Sequence, residues 1–295
     1  MGHMLNDLKR FFRTDLSKKY KRDFHPEKQA SQGGEDGIIA EIMRRLKVNQ
    51  GWFVEFGAWD GVRFSNTYAL ALQNWRGIYI EGDPEKFKEL QANMRPHPGI
   101  VNVCRYVSLE GGDSLDSILG ETSIPREFDL LSIDIDGNDY WVWDAIKSVD
   151  PAIVICEYNP ILGDMRALVV PYDPHFTRFN AHHSGLYFGC SIAALRQLAA
   201  KRGYTFVGTN SNGINAFFVR DDLAGPVLAG IEAVRAYPSR HRDSRDEKGQ
   251  LSFTGGLARF DLIRHLEVVD VSSRQRIRLD RIEKPYSDEW LDAMR

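Results

Sequence analysis

The chain has 295 residues, of which 43% are hydrophobic and 27% are charged. This composition supports a large buried core and argues against an intrinsically disordered chain. Acidic and basic residues nearly balance, at a net charge of −3, so bulk electrostatics give no reason to expect a nucleic-acid partner. No apolar run approaches the roughly 18 residues that span a bilayer, and no secretory signal is visible, so we expect a cytoplasmic protein without a transmembrane segment.

The three cysteines fit the same expectation. Cys104, Cys156 and Cys190 lack the spacing of a zinc site and are too few to cross-link a secreted scaffold. We expect all three to be reduced and to lie in the core.

Residues 1–29 predict an N-terminal helical extension. Residues 1–3 resemble the remnant of a cloning tag, whereas residues 5–25 place leucine and phenylalanine at helical spacing among many lysines and arginines. We expect this helix to dock on its own domain or on a partner subunit in a homo-oligomer. Contact with a membrane surface is the alternative.

Between residues 30 and 220, short apolar runs alternate with helical patterns. The runs are "WFVEFG" (52–57), "GIYIEG" (77–82), "IVNVCRYVS" (100–108), "FDLLSIDID" (128–136) and "AIVICEYN" (152–159). This alternation is typical of an α/β fold in which helices cover a parallel sheet.

Capping residues mark the predicted helix starts. Asp83 and Ser191 each precede a helical pattern, and Ser65 or Asn66 can cap a third helix. The predicted inward face of that third helix is Tyr68, Ala71, Leu72 and Trp75. Further on, "YTFVG" and "AFFVR" flank a turn and predict an antiparallel hairpin. Residues 221–295 show no clear period and are predicted to be a C-terminal extension of unknown role.

The first predicted strand ends in "FVEFGAWDG", in which a carboxylate precedes two glycines. Gly57 and Gly61 would let the backbone bend sharply and approach a ligand closely, and ligands of open parallel sheets bind outside the carboxyl ends of the strands. Glu55 and Asp60 would repel a pyrophosphate, and the dinucleotide motif G-x-G-x-x-G is missing. A ligand with a sulfonium or ammonium group and a ribose fits better, which favours S-adenosylmethionine over NAD.

A second acid supports the same ligand. Glu81 ends the second strand at about the distance from Glu55 at which a βαβ unit presents a carboxylate to a ribose diol. Suitable acids at the ends of two adjacent strands are a stronger signal than either acid alone.

Further acidic residues end the fourth and fifth strands. The segment "IDIDGNDY" contains Asp134, Asp136 and Asp139, and "CEYN" contains Glu157 and Asn159. Because neighbouring parallel strands would bring these oxygen ligands to one rim, we predict that Asp134, Glu157 and Asn159 hold Mg²⁺ or another divalent cation. A cation at this rim would lower the pKa of an acceptor hydroxyl.

Metal-free base catalysis is the alternative mechanism. A general base would remove the proton of the acceptor hydroxyl as the methyl group moves. The candidate bases are Asp136, Asp139 and two histidines of the loop after the fifth strand, His182 and His183. The sequence leaves both mechanisms open.

Taken together, the motifs resemble the FkbM-like group of class I S-adenosylmethionine-dependent methyltransferases. The resemblance runs in order through "SQGGEDGII", "FVEFGAWDGVRFSNTYAL", "GIYIEGDPEKF", "FDLLSIDIDGNDYWVWDAI" and "CEYNP". It implies a Rossmann-like, seven-stranded, mostly parallel sheet with a terminal antiparallel hairpin and helices on both faces. It also implies methyl transfer to an oxygen, often a sugar hydroxyl of a surface glycan or a natural-product precursor.

The resemblance also implies which residues bind the cofactor. Glu55, Gly57 and Gly61 would form the cofactor turn, Glu81 would bind the ribose, and Ser108 would lie near the adenine. The residues expected at the methionine end are Gln32, Glu35, Ser65 and Asn66, and Asp134 belongs to both the cofactor set and the metal set.

Three details leave alternatives open. Glu35 and Asp36 could instead stabilise a helix N-terminus by their charge. Trp59 stands where the commonest methyltransferase turn, E/D-x-G-x-G-x-G, has its middle glycine, and we expect it to pack rather than to stack on a ligand. The acidic pattern is also similar to that of metal-dependent catechol-type methyltransferases.

Two other functions remain as alternatives to an O-methyltransferase acting on a sugar or another polyhydroxylated small molecule. One is an NAD-dependent oxidoreductase or epimerase on the same sheet architecture. The other is a non-catalytic protein that binds a glycan or a partner protein through the loops of the sheet.

Overall fold

The computed structural model describes residues 31–239 and 243–294, so the predicted helix over residues 5–25 lies outside the described residues. Its main sheet has seven strands in the order β3-β2-β1-β4-β5-β8-β7. Their bounds are β1 Trp52–Phe56, β2 Arg76–Glu81, β3 Ile100–Cys104, β4 Leu130–Ile133, β5 Ile153–Glu157, β7 Tyr204–Thr209 and β8 Asn215–Arg220. The first five strands pair in parallel, whereas β8 runs antiparallel to β5 and to β7. The predicted mostly parallel, seven-stranded sheet with a terminal hairpin is confirmed.

Helices cover both faces of this sheet. They are α1 Glu35–Leu46, α2 Tyr68–Leu72, α3 Pro84–Met94, α4 Leu115–Gly120, α5 Asp139–Ala145, α6 Arg178–Ala181, α7 Ile192–Lys201, α8 Asp221–Leu228, α9 Ala258–Ile263 and α10 Asp288–Met294. Alternate strand residues enter two separate core clusters: Val54 packs with α4, α5 and α7, whereas Phe53 packs with α1, α2, α3 and α8. Strands buried on both faces explain why the sequence shows continuous apolar runs.

The capping predictions are confirmed for the helices that begin after Asp83 and Ser191, whereas the N-cap of α2 is Thr67 rather than Ser65 or Asn66. Asp83 accepts the backbone N–H groups of Glu85 and Lys86, and Ser191 accepts that of Ala194. The Ser65 hydroxyl accepts the N–H of Tyr68 at 3.0 Å. These bonds satisfy N–H groups that the first helical turn leaves without a partner.

Two packing predictions are wrong. Leu72, expected on the inward face of its helix, is 55% exposed, because α2 has only five residues and its apolar face is narrower than predicted. Cys104, expected in the core, is exposed at the end of the outer strand β3, whereas Cys156 and Cys190 are buried.

A second, smaller sheet was not predicted. It consists of β6 Leu168–Val169, β9 Glu267–Asp270 and β10 Gln275–Arg278, in the order β10-β9-β6. Both pairings are antiparallel. The C-terminal segment therefore adds two strands to a short strand of the main domain.

The C-terminal segment packs against the rest of the chain. Val227 joins the cluster under α1, and Ile263 packs with Leu162 and Leu168. Trp290 is 3% exposed, belongs to the largest core cluster and donates its indole N–H to the carbonyl of Ala236. Within the described residues, no helix is long and apolar enough to cross a membrane.

Because Trp290 fills the main core, we expect Trp290→Ala to lower the free energy of unfolding by about 3–5 kcal/mol. The matched control is Glu289→Ala, which removes only an exposed ion pair with Arg235 and should change it by less than about 1 kcal/mol. Urea unfolding followed by fluorescence and circular dichroism measures both. An equally small change in both variants would show that Trp290 does not stabilise the main core.

Candidate functional site

The glycine turn after β1 lies where the strand order reverses, between β1 and β4. Gly57 has a φ of 77°, and a Cβ at this position would lie 1.6 Å from the carbonyl oxygen of Asp134. Only glycine therefore lets this turn approach the end of β4. Gly61 has a φ of 74° and packs against Leu90. Openings at such a reversal are the usual ligand sites of parallel sheets.

The side chain of Glu55 is hydrogen-bonded to the loop that follows the turn. Its carboxylate accepts hydrogen bonds from the Ser65 hydroxyl at 2.8 Å, from the Asn66 N–H at 3.0 Å, and from both the N–H and the hydroxyl of Thr67. Glu55, Ser65, Asn66 and Thr67 are each at most 3% exposed. Burial raises the pKa of Glu55, although these hydrogen bonds oppose the shift. Glu55, Ser65 and Asn66 thus bind each other and shape the loop from within.

Glu81 lies half-buried at the end of β2, beside the glycine turn. Its two carboxylate oxygens accept the N–H of Trp59 at 2.7 Å and that of Asp83 at 2.8 Å. Burial raises its pKa against the effect of these two bonds. Unlike Glu55, Glu81 keeps part of its carboxylate surface open to a ligand.

Two residues with exposed aromatic side chains neighbour Glu81 and the adjacent Gly82. Trp59, which has a φ of 49°, is 43% exposed, and Tyr106 is 71% exposed. The Tyr106 ring lies so close to Gly82 that a Cβ there would be 2.3 Å from it. The expectation that Trp59 packs is met only in part, by an edge contact with Phe64 and by Lys86 over the ring.

Ser108 and Glu35, which were also predicted to bind the cofactor, form hydrogen bonds outside the glycine turn and its loop. Ser108, after β3, is half-buried and donates its hydroxyl to the carbonyl of Glu110. Glu35 is fully buried at the start of α1, where it accepts the N–H of Gly33 at 2.6 Å and the side-chain amides of Asn210 and Asn215. Burial raises the pKa of Glu35. Its bonds join the start of α1 to the hairpin of β7 and β8.

Three carboxylates converge at the ends of β4 and β5. One oxygen each of Asp134, Asp139 and Glu157 lies within 4.8 Å of the other two. Asp139 also accepts the N–H groups of Ile135 and Gly137, both at 2.9 Å. The Oε2 atom of Glu157 is buried without a hydrogen-bond partner among the described residues.

Burial and mutual repulsion change the acidity of this cluster. Burial raises the pKa of Asp139 to about 6, and it raises those of Asp134 and Glu157 well above their usual range, with further increases from the neighbouring acids. A hard cation bound between them would relieve the repulsion.

Asn159 was predicted as a metal ligand, but its side chain has other partners. Its amide donates to the carbonyls of Leu186 and Phe188 at 2.9 and 3.0 Å, and its oxygen accepts the N–H of Ile161 at 3.0 Å. The structure brings Asp139, rather than Asn159, into reach of Asp134 and Glu157.

Arg178 is the site residue that the sequence did not reveal. Its guanidinium donates to Asp136 at 2.6 Å and to the carbonyl of Gly185 at 3.0 Å, and it lies 3.9 Å from the ring centre of Phe188. Asp136 itself is exposed and has a φ of 57°. No local motif surrounds Arg178, so only the folded chain shows this contact.

The two loop histidines lie in a different group. The ring of His182 accepts or donates a bond to the Ser184 hydroxyl at 2.7 Å and stacks on His183 at 4.2 Å, with His265 at 5.6 Å. Burial and these two histidines lower the pKa of His182. The ring contacts of His182 are therefore with this group and not with the carboxylates.

Since Glu55 holds its loop through buried hydrogen bonds, we expect Glu55→Gln to lower the free energy of unfolding by about 1–3 kcal/mol. In the variant, the side-chain NH₂ group would face a backbone N–H from which the carboxylate of the wild type accepts a hydrogen bond, so two donors would oppose each other. Glu85→Gln, at an exposed position of α3, is the control and should change it by less than about 1 kcal/mol. Equal urea midpoints for both variants would show that Glu55 does not support the loop.

Comparison with known proteins finds similarity among solved structures. A scan against protein-family models gives no match, and a search of curated proteins gives none either. The chain is similar to the N-terminal domain of EvdMO1 with SAH bound, at 15% identity over 63% of this chain and 79% of that chain, with a TM-score of 0.39. It is similar to the CurJ carbon methyltransferase at 12% identity over 62% of this chain and 52% of that chain, with a TM-score of 0.40. It is also similar to a SAM-dependent methyltransferase from Aquifex aeolicus at 9% identity over 70% of this chain and 97% of that chain, with a TM-score of 0.37.

Proposed function

We propose that the protein is an S-adenosylmethionine-dependent O-methyltransferase that acts on a hydroxyl of a sugar or another polyhydroxylated small molecule. The observation that carries this proposal is the half-buried carboxylate of Glu81, held at the end of β2 against the glycine turn of β1. A carboxylate at this point suits a ribose diol, since each of its oxygens can accept a further hydrogen bond.

The opening around Glu81 fits an adenosine group. Trp59, which donates its N–H to this carboxylate, and Tyr106, whose ring lies against Gly82, both have exposed aromatic rings, and aromatic rings favour stacking on a flat base. When bound, S-adenosylmethionine supplies a methyl group on a sulfonium centre. Glu81, Trp59 and Tyr106 would hold and orient it. Glu55, Ser65 and Asn66 would fix the position of the loop that follows the glycine turn.

A divalent cation fits the carboxylate cluster. The Oε2 atom of buried Glu157 accepts no hydrogen bond from the described residues. A group of three carboxylates supplies the oxygen ligands that Mg²⁺ and Mn²⁺ prefer. Asp134, Asp139 and Glu157 would hold the ion. When bound, the ion would lower the pKa of an acceptor hydroxyl.

Base catalysis remains a second mechanism for the same reaction. A base near its pKa at working pH transfers protons efficiently, and Asp139, with a pKa raised to about 6, fits that requirement. Asp136 fits less well, because Arg178 already pairs with it. The ring of His182 contacts His183, His265 and the Ser184 hydroxyl.

We expect the purified protein to bind S-adenosylhomocysteine, and Glu81→Ala to weaken that binding at least about tenfold through loss of a charged hydrogen bond. Isothermal calorimetry measures both. Glu127→Ala, an exposed acid just before β4 and so at the opposite edge of the sheet, should bind like the wild type. Unchanged affinity in Glu81→Ala would remove Glu81 from the site, and no binding by the wild type would remove the methyltransferase proposal.

Manganese or magnesium should raise the melting temperature of the wild type, because a ligand that binds only the folded state stabilises it. Glu157→Gln should melt higher than the wild type in EDTA, since it removes one of three repelling carboxylates, and should lose most of the increase with cation. Glu127→Gln is the control. An equal cation response in Glu157→Gln would remove Glu157 as a ligand, and no response in the wild type would favour base catalysis.

A further inference from the structure

Asp134 joins the glycine turn to the carboxylate cluster. A Cβ at Gly57 would lie 1.6 Å from the backbone oxygen of Asp134, so the turn and this residue are in direct contact. One carboxylate oxygen of Asp134 also lies within 4.8 Å of one oxygen each of Asp139 and Glu157. A ligand that extends from the glycine turn towards β5 therefore meets the acidic cluster first at Asp134.

The strand order places the site residues in a row. Strands β2, β1, β4 and β5 are neighbours in that order, and adjacent strands are about 4.8 Å apart. Glu81, the glycine turn, Asp134 and Glu157 thus follow one another along the same edge of the sheet. The sulfur of S-adenosylmethionine is bonded to the 5′ carbon of the ribose. With the ribose at Glu81, as proposed above, the sulfur would lie over the glycine turn, beside Asp134.

A cavity lies on the other side of Asp134. It has a volume of about 110 Å³ and opens at the carboxyl end of β5 and at the turn between β7 and β8. Glu157, Arg178 and Arg259 are among the residues that line it. The proposed cofactor position and this cavity therefore lie on opposite sides of Asp134.

Negative charge is in excess around Asp134. Asp134, Asp139 and Glu157 form no ion pair among the described residues. Arg178, whose charge lowers the pKa of Glu157, is already paired with Asp136 at 2.6 Å. Burial and four neighbouring acids raise the pKa of Asp134. A positive group bound beside Asp134 would reduce this repulsion, whereas a neutral group would not.

We propose that Asp134 makes the site selective for the sulfonium form of the cofactor, so that S-adenosylmethionine binds more tightly than S-adenosylhomocysteine. This inference rests on the proposed methyltransferase function. In the transfer, the methyl carbon bonds to the acceptor oxygen, whose proton is released, and the electron pair of the C–S bond stays on sulfur. The product sulfur is therefore neutral, and its attraction to Asp134 is lost.

Isothermal calorimetry in EDTA tests this selectivity, because EDTA keeps divalent cations from compensating for the acids. The third ligand is sinefungin, in which a carbon with an ammonium group replaces the methylated sulfur. The wild type should bind S-adenosylmethionine and sinefungin at least about tenfold more tightly than S-adenosylhomocysteine, since both carry the additional positive charge. Equal affinities for S-adenosylmethionine and S-adenosylhomocysteine would overturn the proposal. Sinefungin that binds like S-adenosylhomocysteine would overturn it too, because the methyl group would then explain the difference.

Asp134→Asn removes the charge and keeps the shape of the side chain. It should weaken binding of the two positively charged ligands at least about tenfold and change that of S-adenosylhomocysteine by less than about twofold. Glu127→Gln, at the opposite edge of the sheet, should leave all three affinities unchanged. Equal losses for all three ligands in Asp134→Asn would show that Asp134 supports the site without selecting for charge, which would overturn the proposal.

Two features of this design keep the outcomes distinct. The comparison of the three ligands uses the wild type, so it decides the question even if Asp134→Asn fails to fold by circular dichroism. Binding of all three ligands with equal affinity overturns only the charge selectivity, whereas no binding of any of them overturns the proposed function.

Discussion

The carboxylates of Asp134, Asp139 and Glu157 meet because β4 and β5 run parallel and in register, with Ile133 opposite Cys156. The next residues are Asp134, directly after β4, and Glu157, the last residue of β5, so the two lie side by side at the same end of the sheet. The raised pKa values have a definite sign for stability: between the usual carboxyl pKa and about pH 6, the folded state holds protons that the unfolded chain has lost. The cluster therefore destabilises the fold as pH rises through that range, unless a cation or a ligand compensates for it.

Glu55 and Glu81 show how one type of side chain takes two roles on adjacent strands. Glu55 lies within β1, before the turn, and its carboxylate is enclosed by the loop that begins at Ser65. Glu81 ends β2, so its carboxylate emerges beside the turn and remains half-buried. The buried acid keeps the loop in place, and the open acid lies where a ligand can reach it.

The sequence predicted the sheet well because apolar runs and capping residues are local signals. Asp83 and Ser191 cap the helices that they were expected to cap, and the terminal hairpin follows from its own turn. The carboxylate cluster was predicted through the parallel alternation, but Asn159 was placed in it and turns to neighbouring carbonyls instead. Side-chain direction after a strand end depends on the loop that covers it, which the local pattern does not encode.

Arg178 and the C-terminal segment mark the limit of local reasoning. Arg178 meets Asp136 across 42 positions of sequence, and Arg259 reaches the cavity from a segment without a clear period. Both contacts depend on how separate segments pack above the strand ends. The sheet fixes where the carboxylates lie, whereas segments distant in the sequence line the cavity beside them. A local pattern therefore reveals least about the segments that cover the strand ends, because their positions depend on contacts between distant parts of the chain.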